Sequence, residues 1–472
     1  MNEICFTPAR KLARLIHDRK LSATEVTKAF IAQVERVNPK VNAIVTFLPE
    51  LALSAARKFD KDFSSNKAKP LAGLPIAYKD NVPTRGIRTT FGSPVHRDNV
   101  PKEDHVIVER LSAAGAITLG KTNLPEFAAG SHTFNAVFGA TLNPYDPGKS
   151  AGGSSGGAAA AVACGMLPFA DGGDLAASLR NPGNYCNVVG FRPSPGRVPH
   201  WPAPNAWNTL GVLGPIGRTV ADAAFLLSAM AGPDPRAPNT ITEPGRIFGS
   251  SLARSFKKAR IAWSRNLGGL PMDSRVTAVL EKQKAVFRGL GCIVEEAEPD
   301  FSGAAEAFET LRAVAFVQSY GELVRTRRGD VKDSIIWNVE QGWQLKPEQV
   351  ARAEALRSQL FHRMRVFLES YDFLLCPVNQ LPPFPQETEY PTEIAGVRMT
   401  NYLDWMKSCY YITVTSHPAV SVPAGFTGDA KPLPVGLQIV GRYRDDFGVL
   451  QLAHAFEQET QVWRQRPSIA TA

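Results

Sequence analysis

The sequence has no apolar run long enough to cross a membrane as a helix. Its most apolar stretch, residues 158–170, is broken by Gly165 and Pro168 and falls short of the roughly 20 residues such a span needs. Cysteine is scarce. The six, Cys5, Cys164, Cys186, Cys292, Cys376 and Cys409, include no C-x-x-C pair, so neither a redox motif nor a thiolate zinc site is indicated. They read as reduced packing residues of a reducing compartment. The eight histidines show no H-E-x-x-H or other ligand spacing, and no catalytic metal is expected. No charged-then-apolar leader opens the chain, which gives a cytoplasmic expectation. Blocks of five or six like charges are missing too. The 53 basic and 44 acidic residues leave a net charge of +9. The basic residues are scattered without an aromatic platform between them, so a nucleic-acid partner is not expected.

What is present is ordinary for a globular chain: 44% hydrophobic and 21% charged residues. A length of 472 residues suggests roughly three units, yet no linker separates them. The expectation is one domain over 1–472. Residues 1–65 form its helical start, 70–232 the core carrying the chemistry, and 258–472 a second α/β part completing the sheet and the substrate pocket. Ser22 and Glu25 form a capping box for a helix that Asn38-Pro39 should stop. Strands are predicted at 41–48, 76–78, 116–120, 188–191, 260–264, 292–296, 371–377, 419–422 and 435–440. Helices are predicted at 51–62, 109–115, 158–165, 220–230, 274–290 and 447–459. A polar loop is expected at 63–69, and a mainly helical region at 301–367 with Trp337 and Trp343 between its helices. Alternation of α and β argues an α/β fold with a large mixed, mainly parallel central sheet flanked by helices on both faces.

The most unusual stretch runs from Ser150 to Arg180, SAGGSSGGAAAAVACGMLPFADGGDLAASLR. It has little bulk, and its hydroxyls sit between glycines. Gly148-Lys149-Ser150 resembles the end of a P-loop, but Asn143 stands where the first glycine is required. Residues 152–156 match the G-x-S-x-G elbow, but no apolar strand precedes them and His417 and His454 lack an obvious acidic partner. A flexible linker is excluded because an alanine-rich helix follows at once.

Ser178 follows a loop of small residues, expected over 171–177, whose successive N–H groups are suited to hold one oxygen. A serine needs a base. Lys79, at the end of a short apolar strand, is the best-placed candidate if it is buried and neutral. On local sequence alone it reads as a surface lysine beginning a turn. Ser154 would relay the proton.

These residues resemble the amidase signature enzymes. The resemblance is carried, in order, by GLPIAYKDN (73–81), GKTNLPEFA (120–128), AGGSSGGAAAAVACG (151–165), DLAASLRNP (174–182), VGFRPSPGRVP, GPIGRTVADA and LPVGLQIVG (433–441). It spans nearly the whole chain. It implies Ser178 as acylated nucleophile, Ser154 as bridging serine after a cis Gly153–Ser154 peptide, and Lys79 as base. It implies an oxyanion hole from the backbone of Leu175, Ala176, Ala177 and Ser178, with support from Ser155, Asp174 and Arg180. No metal or organic cofactor is implied. Phe127 and Ala128 are expected to border the substrate.

One departure stands out. Members usually carry two glycines before the nucleophile, and this chain has Ala176 and Ala177. Alanine would be strained there if either position required positive φ. The implied activity is hydrolysis of a small-molecule carboxylic amide, with esters and carbamates open and a homodimer admitted. A glutaminase-type subunit of a tRNA-dependent amidotransferase is the alternative, and a non-catalytic amidase-like binding protein is a third reading. Trp207, Trp337, Trp343 and Trp405 are read either as pocket lining or as core.

Overall fold

Ser22 caps a helix as its sequence predicts. Its hydroxyl accepts the Glu25 N–H at 3.0 Å, and the Glu25 carboxylate accepts the Ser22 N–H at 2.8 Å. The helix Ala23–Val41 runs through Pro39 instead of stopping there. Proline in a last turn loses a single backbone bond, and Asn42, left-handed at φ 51°, ends the helix by donating to Asn38 O. These elements belong to a computed structural model that describes residues 2–471.

Three strands form a small sheet: β1 (Ile44–Phe47), β2 (Pro75–Lys79) and β3 (Ile117–Thr122). β3 lies in the middle, parallel to β2 and antiparallel to β1, with Lys79 opposite Thr122. All five residues of β2 are buried.

The large sheet has eight strands: β4 (Phe169–Asp174), β5 (Val189–Arg192), β6 (Val212–Gly217), β7 (Arg260–Trp263), β8 (Ile293–Glu296), β9 (Phe373–Pro377), β10 (Ala419–Phe426) and β11 (Pro434–Gly441). Their order is β8-β7-β9-β11-β10-β5-β6-β4. The sheet is mixed, but it is not mainly parallel. Only β7–β8 and β7–β9 run parallel, and the other five pairings are antiparallel. Connection length explains this. β10 and β11 are joined by a short turn, which permits only an antiparallel pair, whereas the parallel pairs are bridged by helices.

Other expectations are corrected by packing. β4 takes in residues 171–174, whose composition predicts a loop. Alanine and glycine carry no strand signal, yet this strand pairs along its length with β6. The helix expected over 274–290 is two, Ser274–Glu281 and Lys284–Gly289. A short helix, Phe63–Asn66, occupies part of the expected polar loop. Trp337 and Trp343 lie within one helix, Asp333–Trp343, whose buried face is made by Ile335, Ile336 and Val339.

The main core gathers the helix Gly156–Ala163, every residue of which is buried, with β-branched and aromatic residues of the large sheet. No helix among the described residues is long and apolar enough to cross a membrane.

Candidate active site

Lys79 is a core residue, only 1% exposed, which overturns the surface reading. It ends β2, whose neighbours Ile76, Ala77 and Tyr78 are fully buried. Its Nζ lies 2.7 Å from Ser154 Oγ and 3.0 Å from Ser155 Oγ. Burial pushes its ammonium down to about 7, against the opposing pull of Asp171 and Asp174. A lysine so placed is neutral in a large fraction of molecules near neutral pH, and a neutral amine can accept a proton from a hydroxyl.

The glycines set the path of the serine run. Gly157, second in the helix Gly156–Ala163, lies against the backbone of two other segments: a Cβ there would fall 2.3 Å from Asn123 N and 2.6 Å from Ala43 O. Gly152 is left-handed at φ +76°, and a Cβ on it would meet Asn181 Oδ1 at 2.4 Å. The Gly153–Ser154 peptide is cis. Gly153 N–H donates to Asn181 Oδ1 at 2.9 Å, and Gly156 N–H to Thr133 Oγ1 at 3.1 Å. The serines are therefore held on both sides by side chains from other segments.

Ser178 is the most open of the three candidate catalytic residues, at 7% exposure against 1% for Ser154. Its hydroxyl makes no hydrogen bond among the described residues. Nor do the backbone N–H groups of Leu175, Ala176, Ala177 and Ser178. Leu175 is half-buried, and Ala176, Ala177 and Ser178 are buried. Their N–H groups are available to a developing oxyanion. Ala176 and Ala177 do not appear among the residues with positive φ, so the loop asks nothing of glycine at either position.

The loop's shape comes from Asp174 and Arg180, both fully buried. Arg180 also donates to Cys409 O at 2.8 Å and to Gln438 Oε1 at 2.7 Å, which anchors it to neighbouring elements. Arg192 approaches Asp174 Oδ1 at 3.3 Å. Burial alone would raise the Asp174 carboxyl, but Arg180 and Arg192 outweigh it and hold the group down at about 2.

Phe127 and Ala128 are left-handed, at φ 49° and 59°. Phe127 packs against Tyr320 and Phe91, with ring centroids 4.8 and 6.3 Å away, in an apolar cluster with Phe316, Ile335 and Val339. The four tryptophans are not gathered: Trp405 is buried, while Trp207 is 73% exposed and Trp343 38%. His417 is buried with one ring nitrogen on Thr415 O at 2.7 Å, and neither it nor His454 reaches a serine of the run.

The residues sequence reasoning missed are Asn181, Thr133, Arg192, Asp171 and Lys121. Asn181 and Thr133 carry no signal beyond their neighbours. Lys121 does: like Lys79, it ends an apolar strand, and it is fully buried with Nζ 2.5 Å from Val82 O and 2.9 Å from Thr84 Oγ1.

Residues 25–450 match the family model for the amidases. The chain belongs to the amidase signature family. It is 37% identical over 453 residues to the acylamidase of Rhodococcus erythropolis, covering 95% of this chain and 94% of that protein. It is 35% identical over 498 residues to a glutamyl-tRNA(Gln) amidotransferase subunit of Moorella thermoacetica, covering 100% of both. Among solved structures it is similar to a bacterial aryl acylamidase of the amidase signature family, with a TM-score of 0.92, 28% identity and 99% of each chain covered. As an amidase signature hydrolase the chain acts on amides.

Proposed function

We propose that this chain hydrolyses carboxylic amides through an acyl-enzyme on Ser178. The observation that carries the reading is Lys79 Nζ, buried and 2.7 Å from Ser154 Oγ. Neutral Lys79 accepts a proton from Ser154, and Ser154 takes one from Ser178. Ser178 Oγ attacks the amide carbon, and the carbonyl electrons move to its oxygen. The free N–H groups of Leu175 to Ser178 stabilise that oxyanion. Collapse breaks the C–N bond, and the amine leaves with a proton returned through Ser154. Water, deprotonated along the same path, then releases the acid and regenerates Ser178.

Ser155 steadies Lys79 from 3.0 Å, and Asp174 with Arg180 shapes the loop. The substrate is a small linear amide, bordered by Phe127 and Ala128, and the reaction needs no cofactor. The likeness to an acylamidase supports this reading.

A panel of aryl, alkyl and amino-acid amides tests this directly. Ser178→Ala and Lys79→Ala are expected to lose turnover, and a serine-directed phosphonate to add one adduct mass at Ser178. Wild-type rates in Ser178→Ala would overturn the reading. The full-length match to an amidotransferase component supports a second reading, glutamine hydrolysis within a larger assembly. Glutaminase activity combined with inertness toward aryl amides would favour it.

A further inference from the structure

Asp171 lies in the middle of β4, fully buried, and the reaction as written does not use it. Its Oδ1 accepts the backbone N–H of Lys79 at 3.1 Å. Its Oδ2 has no hydrogen-bond partner among the described residues. A buried carboxylate oxygen without a donor is costly, and it persists where neighbouring charge compensates. Burial raises the Asp171 carboxyl to about 6, opposed first by the Lys121 ammonium and, when it is protonated, by Lys79.

Seven ionisable groups form this fully buried array. Lys79, Lys121, Arg180 and Arg192 are the cationic side chains, and Asp80, Asp171 and Asp174 the carboxylates. With Lys79 neutral, three cations face three carboxylates. A proton on Lys79 makes a fourth cation, and the carboxylate at its own backbone does most to offset it.

We propose that Asp171 is a positioning residue for Lys79: it fixes the strand end from which the amine projects and supplies the negative charge that keeps that amine basic enough to take a proton from Ser154. The proposal rests on the reading of Lys79 as the base. The other charge acting on Lys79 is Asp174 on β4; Tyr78 and Asp80 adjoin it in the chain, and Lys121 on β3, opposite Tyr78, shares Asp171 and is acted on by Asp80 and Asp104. The helix Gly156–Ala163 brings none.

The test is the pH profile of kcat/KM for Asp171→Asn, whose amide oxygen still accepts the Lys79 N–H. Loss of the negative charge disfavours the ammonium. The acidic limb is expected to move to lower pH by about one unit, and the weaker base to lower the plateau. A purely structural residue would depress rates at every pH and leave the limb in place. Asp171→Ser, also neutral, gives the same reading should the asparagine variant fail to fold. An unmoved limb in a folded variant, beside an inactive Lys79→Met, overturns this proposal and leaves Lys79 standing as the base. Wild-type rates in Lys79→Met overturn both.

Discussion

Arg180 grips Asp174 through two parallel hydrogen bonds, Nε to Oδ2 at 3.0 Å and Nη2 to Oδ1 at 2.9 Å. The same Nη2 reaches Ala176 O at 2.9 Å. One guanidinium thus ties the start of the loop before Ser178 to its middle and holds the Ala176 carbonyl in place. Arg180→Ala leaves a buried carboxylate short of its main partner. A loss of about 3–5 kcal/mol is expected, read as a large drop in Tm or in soluble yield. Arg180→Lys keeps the charge but not the fork. It should fold better and still lose most activity.

Ala176 and Ala177 give a sharper test of the loop. If alanine were a compromise at a glycine position, Ala176→Gly or Ala177→Gly would raise stability and activity. Neither position has positive φ, so the expected result is the reverse. Each glycine should cost about 0.4–1 kcal/mol by freeing the unfolded chain, with no gain in kcat. Thermal melts and rates on one aryl amide measure both.

Much of the candidate site was legible because its chemistry rests on an ordered set of short motifs. Ser154 and Ser178 stand out by residue type and setting, whereas Ser155, Asp174 and Arg180 are named only through the family resemblance. What stayed hidden depends on long-range packing. Lys79 looks like a turn lysine until β3 and β4 close over it. β4 itself is invisible in its composition, since FADGGD has neither alternation nor β-branching. Strand direction was misjudged because α/β alternation does not reveal which strands are joined by short turns. Capping of the helix Ala23–Val41 is a local event and was read correctly, though its end was not.

Lys79 sets the expected pH dependence. Its ammonium is depressed to about 7, first by burial. The protonated form cannot act as a base, so kcat/KM should rise with pH through about 7 and level off above it. Activity that stays flat from pH 5 to 9 would remove Lys79 from the role of base. The measurement needs a substrate whose own ionisation lies outside that range.

Glu457 offers a stability test away from the site. It lies on the helix Asp446–Thr460, and its Oε1 accepts the Val220 N–H at 2.7 Å, at the start of the helix Val220–Met230. Burial raises its carboxyl from 4.5 to about 8, against the Val220 hydrogen bond, and Asp222 adds to the rise. The folded chain therefore holds a proton that the unfolded chain releases. Its contribution to stability is complete below about pH 4.5, declines as pH rises, and is gone once pH passes about 8. Glu457→Gln keeps an oxygen for Val220 and removes the titration. The variant and the parent should melt alike near pH 5. At pH 9 the variant should be the more stable, by on the order of 1–3 kcal/mol. Equal melting at both pH values would mean that Glu457 ionises in place without penalty, because water or a shift of Asp222 relieves it.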